Sequence, residues 1–219
     1  MAEPRVRERM EHIYRNVPLG DIPWNFEQPP SLLVNAVNSG GIKPCKTADL
    51  GCGAGNYSVW LAGQGFDVTG FDISKEAVRY ARLLASSRKV DCRFVVADLR
   101  GDLDRYRENF DFVMDWEVLH HVFPKDRPRY VQNVHDLLRP EGTYLSLCFS
   151  EDDEAFGGKG KVRETPLKTL LYFSNEDELR QLFAPMFEIV SLSTEEIPGK
   201  HGTHRVCVTK LARSDTSSS

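Results

Sequence analysis

The sequence predicts an α/β domain: a mostly parallel sheet of seven strands, helices on both faces, and an antiparallel strand pair at the C-terminal end. Three observations carry this. Across residues 47–150, short apolar runs of strand length alternate with segments of helical spacing, the pattern of parallel strands joined by right-handed crossovers. Four successive runs carry an aspartate at or near the carboxyl end: Asp49, Asp72, Asp98 and Asp115. The last two runs are separated only by "PGKHGT", too short for a helical crossover, so they pair antiparallel.

The elements follow in order. Residues 6–17 form a polar helix. "PLGDIPWNFEQPP" cannot be one regular element, because each proline removes a backbone donor. "SLLVNAV" is a short helix, with Ser31 as its cap and "SGG" as its end. "TADL" is the first strand and runs into a glycine turn. "YSVWLAGQ" is a helix, "FDVTGFDI" a strand, and Ser74 caps the helix "KEAVRYARLLASS". "CRFVVADL" and "FDFVMDW" are strands, the second poor in charge, as suits a strand covered on both faces. "RPRYVQNVHDLL" is a helix that stops at the turn Pro140-Glu141-Gly142, and "TYLSLCFS" is the fifth strand. Residues 151–166 read as a long polar loop. "SNEDELRQLFAP" is a helix capped by Ser174 with Asp177 three residues on. "FEIVSLSTEEI" and "HRVCVTKLA" are the terminal strands. The organisation expected is a helical lid segment over 1–46, one domain over 47–213 and a disordered tail over 214–219.

Bulk properties narrow the function. An apolar fraction of 41% in 219 residues supports a full core, and a net charge of −4 argues against a dedicated nucleic-acid binder. No apolar run reaches membrane-spanning length, and "MAEPRVRERMEH" is too charged for a secretory signal. Five cysteines, at 45, 52, 92, 148 and 207, form no C-x-x-C pair, and their odd number cannot complete a disulfide framework. A soluble cytoplasmic protein is expected. With no clustered His/Cys pattern, no metal is expected either.

"ADLGCGAGNYS" carries the chemistry. In an open parallel sheet, ligands bind beyond the carboxyl ends of the strands where strand order reverses. Gly51, Gly53 and Gly55 permit tight curvature and close backbone approach there. Asp72 lies about 20 residues on, where a carboxylate can accept both hydroxyls of a ribose.

"ADLGCGAG" with "VTGFDIS", "VVADL" and "FDFVMDWEVLHHV" resembles the class I S-adenosylmethionine-dependent methyltransferases, whose sheet is Rossmann-like. The resemblance covers residues 47–150 and extends more loosely to 213 through the antiparallel pair. "DIPWNFEQPPSLLVNAV" and "LAGQGFDVTGFDIS" look like the small-molecule subgroup, which includes thiopurine, thiol, halide and tellurite-resistance methyltransferases. The resemblance implies that Asp49, Gly51, Gly53 and Gly55 line the methionine and ribose part of the cofactor. It implies that Asp72, with Ile73 beside it, holds the ribose, and that Asp98 and the backbone at Leu99 meet the adenine. The backbone around Asp115 and Trp116 would face the amino group or sulfonium, and Tyr14 and Trp24 would close over the pocket. The implied acceptor is a small molecule, with a thiol or other soft nucleophile in view, and no nucleic-acid or membrane partner.

His120, beside His121, follows the fourth strand at the acceptor edge and is either a general base or a packed ring; Glu117 is a similar candidate. "FGGKGKV" lacks the Ser or Thr that a phosphate loop needs after Gly-Lys, having Val162 there. Lys159, Lys161 and Arg163 either draw an anionic acceptor or form a solvated basic loop. His201 and His204 receive no role. Two other functions fit such a sheet. One is a nicotinamide-dependent oxidoreductase, although the third glycine falls one place early for G-x-G-x-x-G. The other is a non-catalytic cofactor-binding scaffold.

Overall fold

The structure is a computed structural model that describes residues 6–214. Its main sheet contains β1 (Lys46–Leu50), β2 (Asp67–Asp72), β3 (Cys92–Val96), β4 (Phe110–Trp116) and β5 (Leu138–Phe149) as parallel strands. A second two-stranded sheet holds β6 (Val162–Glu164) and β7 (Leu170–Tyr172). β8 (Phe187–Gly199) and β9 (Gly202–Arg213) complete the main sheet, with β9 antiparallel to both β5 and β8. The order is β3-β2-β1-β4-β5-β9-β8. The strand order reverses between β1 and β4, so the turns that leave these two strands flank one crevice.

The helices are α1 (Val6–Asn16), α2 (Ser31–Asn38), α3 (Asn56–Gly63), α4 (Lys75–Arg88), α5 (Arg127–Leu137) and α6 (Glu176–Phe183). Adjacent residues of β4 point to opposite faces and feed two cores. Val113 packs with Leu50, Tyr130 and Tyr144 on one side, and Met114 packs with Leu33, Leu61 and Leu147 on the other. Both faces are therefore covered, which is why the strand carries so few charges.

Local chemistry corrects several expected boundaries. Ser74 does cap α4, accepting from Ala77 N at 3.1 Å. Ser31 does not cap α2; it is the first helical residue, behind Pro30. α6 is capped by Asn175, not Ser174, in a reciprocal box with Glu178 instead of Asp177. Ser174 is committed elsewhere, since its hydroxyl accepts from Arg127 at 2.9 Å and its N–H donates to Phe149 O at 3.1 Å. The turn at Pro140-Glu141-Gly142 survives as a bulge inside β5, where the pairing with β4 jumps from Leu138 to Thr143 and Glu141 adopts φ +64°. The β8–β9 pairing runs up to Gly199 opposite Gly202, so Lys200 and His201 alone turn the hairpin.

The expected loop over 151–166 is the largest departure. It contains a 3-10 turn (Ala155–Gly157) and β6. Arg163, 4% exposed, organises it. Its guanidinium donates to the carbonyls of Glu151 (2.8 Å), Asp153, Ala155 (3.0 Å) and Gly160 (3.0 Å), and lies 3.9 Å from the Phe173 ring centroid. Lys161 bridges Glu151 at 2.6 Å and Glu178 at 2.8 Å. Neither of these two cations is free to draw in an anion, whereas Lys159, the third, lies in the exposed stretch 157–160. Apart from Ser214, the expected tail lies outside the described residues. Among the described residues no helix is long and apolar enough to cross a membrane.

Candidate active site

The turn after β1 is built on left-handed backbone: φ is +69° at Gly51, +54° at Gly53 and +84° at Gly55, a region that L side chains rarely enter. Space demands glycine as well. A Cβ would lie 2.3 Å from Val118 at Gly51, 2.6 Å from the Tyr14 hydroxyl at Gly53 and 2.7 Å from the Ala81 Cβ at Gly55. The first two glycines line a cavity of about 200 Å³. Gly55 does not; it lets α3 begin tight against α4.

The edge carboxylates divide by what they touch. Asp49 is 2% exposed, and burial pushes its carboxyl up to about 7 although the Ser58 hydroxyl donates to it at 2.6 Å. Asp72 is pushed up to about 6 by burial, against the pull of the Ser74 and Gly53 N–H groups, which donate at 2.8 and 2.9 Å. Asp98 is half-buried. Its burial is outweighed by the Arg100 guanidinium, two of whose nitrogens donate at 3.0 Å, so its carboxyl lies below the ordinary value. Asp49, Asp72, Ile73, Asp98 and Leu99 all line the cavity. Asp115 does not. It points into the core, where it accepts from Tyr130 (2.9 Å), Tyr144 and Ser146 (3.1 Å), and only its successors Trp116, Glu117 and Val118 reach the cavity.

The N-terminal segment covers this end. Glu11 accepts from Ser74 Oγ at 2.8 Å and Glu76 N at 3.1 Å, which fixes α1 at the start of α4. Trp24 Nε1 donates to the buried Tyr14 hydroxyl at 2.9 Å, and its ring stands edge-on to His121 at 6.4 Å. From the β8–β9 turn, Lys200 donates to the carbonyls of Gly20 (2.8 Å) and Ile22 (2.6 Å).

The other end of the cavity is aromatic and titratable, lined by Phe149, Phe156, Thr165, Thr169, Leu171 and His204. The His120 ring stacks on Phe149 at 4.7 Å, its Nδ1 at 3.5 Å from the Phe149 N–H. Burial first, and the charges of His121 and Arg127 after it, hold His120 well below its ordinary value; burial holds His121 at about 4. Glu117 has φ +64°, and burial raises its carboxyl to about 7 against the pull of His204.

Comparison with known proteins fits this geometry. Residues 48–142 match the family described as methyltransferase domain. Thiocyanate methyltransferase 1 of Brassica oleracea is 28% identical over 155 residues, 69% of this chain and 67% of that protein. A solved structure concerned with conversion of a disulfide bond into a thioacetal group during echinomycin biosynthesis is 26% identical. It superposes with a TM-score of 0.82 over 97% of this chain and 94% of its own. The family match covers less than half of the chain and lies on β1 to β5 and the turns around the cavity. A further structure shares this chain's fold: the Burkholderia thailandensis 1,6-didemethyltoxoflavin-N1-methyltransferase, with 1,6-didemethyltoxoflavin and S-adenosylhomocysteine bound. It is 24% identical, with a TM-score of 0.74 over 96% of this chain and 88% of its own. The curated relatives are matched over only part of their lengths, 67% of the thiocyanate enzyme and 48% of an O-methyltransferase of ubiquinone biosynthesis. The matched family and the curated relatives are methyltransferases, not nicotinamide-dependent oxidoreductases.

Of the residues singled out from sequence, the structure gathers Tyr14, Trp24, Asp49, Gly51, Gly53, Asp72, Ile73, Asp98, Leu99, Trp116, Glu117 and His120 around one cavity. Gly55 and Asp115 stand behind it. Sequence reasoning missed Tyr57, Phe149, Phe156, Thr165, Thr169 and His204. Only the strand register of β5 and β9 and the β6–β7 ribbon bring most of these together, and no local motif marks them.

Proposed function

We propose that this chain moves the methyl group of S-adenosylmethionine to a small acceptor whose nucleophile is a thiol or another soft, readily ionised atom. The observation that carries the reading is the division of one covered cavity. Its first end has the glycine turn and the carboxylates Asp72 and Asp98; its second has the Phe149 and Phe156 rings, Thr165, Thr169 and His204. The first end fits the cofactor: Gly51 and Gly53 border the cavity without a side chain, and Asp72 faces it beside Ile73 and Leu99. In this reading Asp72 takes the ribose hydroxyls, Leu99 and Asp98 border the adenine, and the turn lies along the methionine. Bound there, the cofactor supplies a methyl already activated by its sulfonium.

The chain's own residues do the rest. Residues 1–46 act as a lid on the catalytic domain 47–213, with Tyr14 and Trp24 excluding water. Trp24 and Trp116 offer aromatic surface to a cation, on the order of 1 kcal/mol. Alignment of the nucleophile supplies as much as about 7–11 kcal/mol of the barrier. A soft acceptor accords with relatives named for thiocyanate and for the chemistry of a disulfide. The acidic net charge and five free thiols accord with a cytoplasmic enzyme that acts on neither nucleic acid nor membrane.

Calorimetry tests the cofactor. S-adenosylhomocysteine should bind, NAD should not, and Asp72→Ala should weaken binding roughly tenfold to a hundredfold, since a hydrogen bond to a charged group is worth about 1.5–3 kcal/mol. Binding of NAD alone would refute the reading. A labelled-methyl screen across thiols, thiocyanate, phenols and amines tests the acceptor, and transfer only to phenols or amines would refute the soft nucleophile.

A further inference from the structure

At the acceptor end, Glu117, His120 and His204 all border the cavity. His120 is 2% exposed, stacked on Phe149 and turned to a backbone N–H, an arrangement that suits a neutral packed ring. Glu117 has no hydrogen bond to its carboxyl among the described residues. His204, near the start of β9, is different: a buried carboxylate stands beside its ring.

His204 Nδ1 is buried 3.3 Å from Oδ2 of Asp153, at ion-pair distance but not aligned as a hydrogen bond, and it has no hydrogen-bond partner among the described residues. Asp153 is 3% exposed and fixed by two backbone donors, Ala155 N to Oδ1 at 2.7 Å and Arg205 N to Oδ2 at 2.6 Å. Phe156 stacks on the His204 ring at 6.2 Å and 19°, and Phe149 meets it edge-on at 5.0 Å. Gly199 faces the same ring, and a Cβ there would come within 2.5 Å of Cδ2 and 2.8 Å of Nε2. A carboxylate at Nδ1 favours the tautomer protonated on that nitrogen and leaves the Nε2 lone pair free.

We propose that His204, with Asp153 beside it, is the base that removes the proton from the acceptor during methyl transfer. This rests on the reaction proposed above. The acceptor S–H proton passes to His204 Nε2. The sulfur electron pair so released forms the new S–CH3 bond, while the pair of the old methyl–sulfonium bond stays on the departing sulfur as a neutral thioether. The imidazolium that results faces the carboxylates of Asp153 and Glu117, with His120 the third titratable group beside it. The two carboxylates act together: Asp153 first, then Glu117, raise the His204 imidazole above its ordinary value, against partial burial.

Two acceptors test this: a neutral alkyl thiol, which must lose a proton, and thiocyanate, which is already an anion. His204→Gln and Asp153→Asn should each lower kcat/KM for the thiol by about a hundredfold. The thiocyanate rate, which needs no proton removed, should fall by less than the thiol rate in both, and circular dichroism shows that the variants fold. In the wild type, kcat/KM for the thiol should rise with pH through the His204 titration, and the inflection should move down in Asp153→Asn. Equal losses with both acceptors would overturn the proposal. So would a larger loss with thiocyanate, which would mark an imidazolium that merely holds an anion. NMR titration of the His204 ring in the free full-length protein gives a readout independent of turnover. The expected result is a raised imidazole pKa that falls in Asp153→Asn; an unshifted wild-type ring, or no change in the variant, would overturn the pairing. Failure of the wild type to methylate either acceptor would refute the reaction itself, and the NMR titration would then decide the pairing alone.

Discussion

Asp49 closes β1 beneath the glycine turn, in a place where a carboxylate is hard to ionise. Burial lifts its carboxyl from an ordinary value near 3.8 to about 7, with only Ser58 pulling strongly the other way. In the folded chain it therefore keeps its proton over a range where the unfolded chain has released it. The stability it contributes is fully present below about pH 4 and is lost as pH rises through about 7. Asp49→Asn keeps an acceptor for the Ser58 hydroxyl and removes the titration. The difference in unfolding free energy between variant and wild type should shift in favour of the variant between pH 4 and pH 7, and stay level above that. Denaturant unfolding of the ligand-free proteins at several pH values measures it, and a difference that does not vary with pH would place the titration elsewhere. Glu117 is costly in another way. A left-handed backbone at a residue other than glycine costs about 1–2 kcal/mol, and here it swings the strand end so that this carboxyl borders the cavity opposite His204.

At the scale of elements, the glycine turn and α1 share one contact surface. The Tyr14 hydroxyl occupies the space in which a Gly53 side chain would begin, 2.6 Å from an ideal Cβ. Gly53→Ala should weaken S-adenosylhomocysteine binding by about tenfold, from the clash and from the left-handed φ, itself worth about 1–2 kcal/mol. Tyr14→Phe in the same chain should restore part of the loss, because it removes the oxygen that is struck. Calorimetry on the four proteins of the cycle isolates the coupling; no recovery in the double variant would show that the clash is not with Tyr14. This surface also shows what could be read in advance. β1, β2 and β4 were legible because their pattern and terminal aspartates are local. The glycine turn was legible because positive φ selects a residue type. The β6–β7 ribbon was not: it depends on Arg163 finding four carbonyls spread across 151–160, which no periodicity encodes. His204 was not legible either, because its partner Asp153 lies 51 residues away and meets it only through the pairing of β5 with β9. The cap of α6 was missed by one residue because Ser174 was already engaged by Arg127, a contact across 47 residues.

In the whole molecule, the N-terminal segment and the β8–β9 hairpin meet over the crevice made by the reversal between β1 and β4. α1 and the segment after it cover the cofactor end. The β8–β9 hairpin supplies both His204, at the acceptor end, and Lys200, which ties down Gly20 and Ile22. One hairpin thus touches the reacting end of the cavity and the fastening of its cover. That fastening has a consequence in time. On the proposed reading the N-terminal segment is a lid, fastened by Lys200 as well as by Glu11; its opening would precede release of the spent cofactor, and such a step can be slower than the chemistry it protects. The first turnover in the wild type should then be fast and those after it slower, with the slow phase falling further as solvent viscosity is raised. In Lys200→Ala the two phases should merge and the viscosity dependence fade, while KM for the cofactor rises because the closed state is less favoured. Rapid-quench measurements of labelled methyl transfer would show it, and a linear wild-type time course insensitive to viscosity would mean that the cover opens faster than the methyl moves.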